Sequence, residues 1–274
     1  MDCKPYLRAH ADELIESLAA LIRIPSVEGT PEDGAPYGRE VARCLRETLA
    51  LCERLGFRTG NMDHRIGWCE YGEGEEMIAV LGHLDVVPAG DGWSEAEPFS
   101  GEVKNGRIYG RGAMDDKGPV VAAIYALAAL KDAGFAPARR IRILFGTNEE
   151  TGCGDMAWYR EHGGEKPVMG FTPDGEYPVI NGEKGILNGT FPRRLHQSGV
   201  YRLTRLEGGT ASNVVPAYAV AELQCPADAA GRITGEKITV TPIKGGIRVE
   251  AQGVSAHGST PEQGENALGQ LALA

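Results

Sequence analysis

The chain has 274 residues, 28 Lys and Arg against 38 Asp and Glu, a formal net charge of −10, and 42% hydrophobic residues. That length suits about two domains, and the apolar share can fill a core, which excludes a wholly disordered chain. The acidic balance argues against binding nucleic-acid phosphates, no apolar run reaches the roughly 18 residues that span a bilayer, and the start Met1-Asp2-Cys3-Lys4-Pro5 lacks the apolar stretch of a signal peptide.

In chain order, Leu7, Ala11, Leu14, Leu18, Leu21 and Ile22 recur at helical spacing and predict one helix ending before Pro25. Val41, Leu45, Leu49 and Cys52 predict a second helix that stops at Gly56. Arg65 to Tyr71 and Met77 to Leu81 flank the turn Gly72-Glu73-Gly74-Glu75 and predict a hairpin. Met77 to Leu81 is continuously apolar, as in a strand buried on both faces. A tight hairpin is expected at Asn105-Gly106. A helix follows Lys117, carries Val120, Ile124, Leu127 and Leu130 on one face, and closes at Gly134. Ile141 to Phe145 reads as a strand, Met156 to Glu161 as a helix, and Val168 to Thr172 as a third core strand. Strands alternating with helices imply an α/β sheet covered on both sides.

From about Gly185 helical periodicity disappears. Short β segments follow at Gly199 to Leu206, Ala219 to Gln224, Lys237 to Thr241 and Ile247 to Ala251, with a helix-forming end from Asn266. This predicts a second, α+β and mostly antiparallel domain. The cysteines at positions 3, 44, 52, 69, 153 and 225 show no C-x-x-C spacing, which rules out a zinc ribbon. Reduced thiols and a cytoplasmic location are the expectation.

Four segments carry the chemistry, each where a strand gives way to a loop: Gly82-His83-Leu84-Asp85, Gly110 to Gly118 with Asp115-Asp116, Asn148-Glu149-Glu150, and Thr172-Pro173-Asp174. Singly, each has an ordinary reading. A His-x-Asp is usually a surface pair, Asp115-Asp116 can face a helix N-terminus, and Glu149-Glu150 can be a solvated loop. Jointly they differ. Converging carboxylates repel one another and raise each other's pKa unless a cation neutralises them. One imidazole with several carboxylates suits divalent zinc, manganese or cobalt, the composition of a two-metal hydrolytic centre. No G-x-x-x-x-G-K-[ST] phosphate loop is present.

These stretches resemble the M20 metallopeptidase family, and within it the PepV-like dipeptidases. The matching segments are GHLDVVPAGDGW (Gly82 to Trp93), YGRGAMDDKGP (Tyr109 to Pro119), GTNEETGCGD (Gly146 to Asp155), TPDGEYPVINGEKGI (Thr172 to Ile186), SNVVPAYA (Ser212 to Ala219) and GVSAHGSTPEQGENA (Gly253 to Ala267). The resemblance implies a zinc-peptidase-like α/β catalytic domain with a mixed sheet between helices over residues 1–184, and a partial α+β lid domain over 185–274. It implies two divalent ions, zinc first, with manganese or cobalt as alternatives. His83, Asp115 and Asp174 would hold one ion, and Asp115, as bridge, with Glu150 the other. Asp85 would orient the imidazole, and Glu149 would be the general base toward a metal-activated water. Glu149 and Glu150 can divide these tasks because successive extended residues point opposite ways. Asn213 would reach the substrate, and His257 would hydrogen-bond the tetrahedral oxyanion. The bridging Asp115 would precede a cis peptide bond.

The expected activity is hydrolysis of dipeptides, with a small peptide as partner and neither nucleic acid nor membrane. The stretches Gly175-Glu176-Tyr177-Pro178 and Gly182-Glu183-Lys184-Gly185 favour the dipeptidase branch over an N-acyl-amino-acid deacylase of the same family. Family members also carry, further along, another His ligand and an Arg that grips the substrate's carboxylate. The expectation is therefore a truncated form with an incomplete second metal site and reduced or no activity, or a non-catalytic remnant.

Overall fold

The computed structural model describes residues 2–90, 92–175, 178–182 and 184–274. Glu176, Tyr177 and Glu183, which belong to the two stretches favouring the dipeptidase branch, lie outside the described residues. The chain divides into two compact units, the first ending at Ile180 and the second running from Asn181 to Ala274.

The first unit contains α1 (Lys4–Ala9), α2 (Ala11–Ile22), α3 (Arg39–Arg54), β1 (Arg58–Met62), β2 (Ile66–Tyr71), β3 (Met77–His83), β4 (Glu102–Lys104), β5 (Arg107–Tyr109), α4 (Lys117–Asp132), β6 (Arg140–Gly146), α5 (Gly154–Glu161) and β7 (Met169–Phe171). Its main sheet has the order β1-β2-β6-β3-β7. β6, β3 and β7 run parallel, while β1 and β2 are antiparallel additions. The period-2 alternation of β6 shows how the sheet is covered. Ile143 and Phe145 join the cluster of Leu45, Leu49, Ile124 and Leu127 from α3 and α4, whereas Leu144 joins Ile66, Met77, Ala79 and Tyr159 on the opposite face. The result is a mixed sheet between helices.

Three local expectations need correction. The first helical stripe is two helices, because the chain breaks at His10. β2 and β3 are not a hairpin: β6 inserts between them, so each pairs with a strand far along the chain although a short turn joins them. The apolar β3 has a neighbour on each side, β6 and β7, and Arg140 binds the intervening turn by donating to the carbonyls of Gly74 and Glu75. The hairpin that does form joins β1 to β2 through Asp63 and His64, both at positive φ. β1, with the sequence Arg-Thr-Gly-Asn-Met, lacks the alternation that marks a strand. Finally, β7 is a strand but not a core one, since Met169 and Phe171 are exposed. The turn at Asn105-Gly106 is as expected, with both residues at positive φ.

The second unit is a four-stranded antiparallel sheet of β8 (Arg202–Gly208), β9 (Tyr218–Gln224), β10 (Ile238–Ile243) and β11 (Gly246–Gln252), in the order β10-β11-β9-β8. Helix α6 (Ala267–Leu273) lays Ala267, Leu268 and Leu271 on Ala219 and Ala251. Asn266 caps it, its side chain accepting the Gly269 N–H at 3.1 Å. Among the described residues, no helix is long and apolar enough to cross a membrane.

The β2–β6 pairing is fastened by charge. Glu70 sits directly opposite Arg142, is 5% exposed, and pairs with both Arg140 and Arg142 at 2.7 Å. Glu165 also pairs with both arginines. Removing one partner of a buried ion pair leaves an uncompensated charge. Glu70→Ala is therefore expected to cost about 3 kcal/mol, read as a fall in the urea midpoint. Glu73→Ala, at the exposed partner of Arg58, should cost less than about 1 kcal/mol.

Candidate metal centre

β3, β6 and β7 are parallel, so their carboxyl ends open at one edge of the sheet. That is where ligands collect in α/β folds. His83 is the last residue of β3, Glu149 and Glu150 follow β6, Asp174 follows β7, and Asp115 stands just before α4. They meet. His83 Nε2 lies 2.9 Å from Asp115 Oδ1, 3.4 Å from Asp174 Oδ2 and 3.9 Å from Glu149 Oε2. Among the described residues, two groups of potential ligand atoms, each mutually within 4.8 Å, emerge: His83 with Glu149 and Asp174, and His83 with Asp115 and Glu150. The grouping differs from the resemblance in two respects: His83, not Asp115, is common to both groups, and Glu149 joins one of them. Glu149, the expected base, stands beside His83 and Asp174 as a potential ligand.

The crowding shows in the acidities. Burial and the Asp115 charge push the Glu150 carboxyl up to about 7. Burial also raises Glu149, against the pull of His83. Burial opposes a charged His83 imidazole, but its hydrogen bonds to Asp115, Asp174 and Asp85 outweigh that and raise its pKa far above the ordinary range. Its hydrogen bond to Asp115 in turn holds that carboxyl below its usual value.

The surrounding residues fix this arrangement. His83 Nδ1 lies 3.0 Å from the backbone carbonyl of Asp85 and 3.5 Å from its carboxylate. The Asp85 carboxylate also accepts the N–H groups of Glu149 at 3.2 Å and Glu150 at 3.1 Å. Val87 N–H donates to Glu150 Oε1 at 3.3 Å. Asp116 is fully buried and accepts the His83 N–H at 3.1 Å. Gly82 is required there, because a Cβ would stand 2.6 Å from the Asp116 carboxylate. The next residue, Lys117, is also fully buried and donates to the carbonyls of Leu21 at 2.9 Å and Ile24 at 2.8 Å. The Asp115–Asp116 peptide bond is cis.

Asn213 and His257 lie in the second unit and adjoin there. Val214 and His257 form an isolated β-bridge, and Gly258 N–H donates to the Asn213 carbonyl at 2.5 Å. The exposed His257 ring has Nδ1 2.7 Å from Ser259 Oγ.

Residues 79–257 match Peptidase family M20/M25/M40. The chain belongs to this family. YtjP of Bacillus subtilis (strain 168), which carries a provisional dipeptidase name, is 39% identical over 269 residues, covering 93% of this chain and 58% of its own. The Beta-Ala-Xaa dipeptidase of Lactobacillus delbrueckii subsp. lactis is 35% identical, covering 100% of this chain and 60% of its own. The chain thus spans about three fifths of the length of these relatives. Among solved structures, human carnosine dipeptidase 1 aligns at 25% identity and a TM-score of 0.55, over 64% of this chain and 41% of that one.

The residues present fit a divalent ion. Four carboxylates face a single imidazole, and a cation is the simplest neutraliser of such a set. Asp116 and Asp155 are buried carboxylates with no role in the sequence reading. Only their positions, next to Asp115 and at the end of the GTNEETGCGD stretch, could have drawn attention to them.

Binding to the folded state alone raises stability by about 2.7 kcal/mol at a hundredfold excess over Kd. Zinc or manganese should therefore raise the Tm measured by scanning calorimetry. EDTA should reverse the rise, and His83→Ala should abolish it.

Proposed function

We propose that the protein is a metal-dependent dipeptidase that uses two divalent ions, zinc first, with manganese or cobalt as alternatives. The observation that carries this reading is the convergence of Asp115, Glu149, Glu150 and Asp174 on His83 at the carboxyl edge of the sheet. The dipeptidase names of relatives aligned over nearly the whole chain support the substrate class.

His83, Asp115, Asp174 and Glu150 would hold the ions. When bound, such ions polarise a peptide carbonyl and make water a better nucleophile near neutral pH. Glu149 takes the proton from the attacking water and delivers it to the leaving amine as the C–N bond breaks. Its raised pKa suits both halves of that transfer. Asp85 holds the backbone that carries Glu149 and Glu150. His257 donates to the oxyanion, and Asn213 contacts the substrate.

The test is an assay of the purified protein, with zinc or manganese, on dipeptides that include N-terminal β-alanyl members and on N-acyl amino acids. Dipeptide turnover that EDTA abolishes is expected. Glu149→Gln should lower kcat by about 10²–10⁴-fold while keeping the metal-induced rise in Tm. Hydrolysis of N-acyl amino acids with none of dipeptides overturns the assignment.

A further inference from the structure

Four consecutive backbone N–H groups at the candidate centre end on two buried carboxylates. Thr147 and Asn148 donate to Asp155 Oδ2 at 2.6 and 3.2 Å. Glu149 and Glu150 donate to the two oxygens of Asp85 at 3.2 and 3.1 Å. Each of these Asp residues is 1% exposed. Placing two carboxylates in the interior is costly unless each is met by strong donors, and runs of backbone N–H groups are such donors. The arrangement therefore fixes the orientation of four successive peptide planes.

The loop has further ties. Asn148 accepts the Gly154 N–H on its side-chain oxygen at 3.0 Å and the Cys153 N–H on its carbonyl at 2.8 Å. Gly152 N–H returns to the Glu149 carbonyl at 3.1 Å. These bonds close the turn on itself. Among the described residues, two carboxylates anchor its amides to the rest of the unit: Asp85 from the loop after β3, and Asp155 from the first turn of α5. Gly146 leaves room for this, since a Cβ there would stand 2.9 Å from the Asp155 carboxylate.

We infer that Asp155 is a positioning residue. By holding the Thr147 and Asn148 amides, it sets the direction in which Glu149 and Glu150 leave the backbone, and so the geometry of the base and of one metal ligand. Asp85 fixes the amides of the far half of the segment; in the half nearest β6 the Thr147 hydroxyl also donates to the Arg65 carbonyl, but the two amides there end on Asp155. This inference rests on the dipeptidase reading for its catalytic consequence, but not for its structural one.

The experiment compares wild type, Asp155→Ala and Asp155→Asn by three readouts: amide exchange at residues 147–150 in metal-free protein, zinc affinity by calorimetry, and dipeptide turnover. Asparagine keeps an oxygen for the two amides, while alanine does not. In Asp155→Ala, exchange at all four amides should quicken at least tenfold relative to the amides of β6. Zinc affinity should fall at least tenfold and kcat about a hundredfold with little change in KM, the scale expected for about 1 Å of misplacement. Asp155→Asn should stay within a few-fold of wild type on every readout. A folded Asp155→Ala with wild-type exchange and zinc affinity overturns the inference, as does an Asp155→Asn that loses as much as alanine. If Asp155→Ala does not fold, wild-type exchange decides: amides 147–150 no better protected than those of Thr151 and Gly152 overturn it. A wild-type protein that binds zinc yet hydrolyses no dipeptide overturns the dipeptidase reading instead, and exchange and affinity still judge the role of Asp155.

Discussion

Carboxylates gathered around one imidazole repel each other, and the rest of the first unit is arranged to hold them together nonetheless. Five groups arrive from four separate stretches of chain. Each is set at the end of a strand or the start of a helix, where the backbone is already committed. The parallel run of β6, β3 and β7 brings three of those ends to one edge. Helices on both faces keep the sheet from shifting. A divalent ion would turn the repulsion into attraction, which is why the same crowding that burdens the metal-free protein suits it to hold metal.

The supporting residues form a second tier, and most of them bind backbone rather than side chains. Asp85, Asp116 and Asp155 all accept main-chain N–H groups. Directing a ligand through its own peptide plane is economical, because the side chain keeps its freedom to face an ion while its root is fixed. It also places the buried Asp85 charge close behind Glu149 and Glu150, which adds to the rise in their pKa values.

Much of this was legible in the sequence. The faces of α3 and α4, the Asn105-Gly106 turn and the residues His83, Asp115, Glu149, Glu150 and Asp174 could be placed from periodicity, turn chemistry and resemblance. The insertion of β6 between β2 and β3 could not, because strand order depends on contacts between residues far apart in the chain, and the glycine-rich turn after Tyr71 mimics a hairpin. β1 carries no apolar alternation, and its pairing comes from β2. Asp85 reads as a partner of the imidazole and lies 3.5 Å from it, but that its carboxylate also holds the next loop is not legible in the sequence. Asp155 enters the sequence reading only as the end of the GTNEETGCGD stretch, since nothing in a sequence says which amides a carboxylate will accept.

Lys117 has a consequence outside catalysis. Its ammonium is sealed from solvent and tied to carbonyls at the end of α2, next to the segment that carries Asp115 and Asp116. An amine-acylating reagent cannot reach it while that joint is closed. The rate at which Lys117 becomes labelled, compared with the surface lysines, therefore clocks how often the α2–α4 joint parts. A single side chain would report local opening beside the metal centre, separately from unfolding of the molecule as a whole.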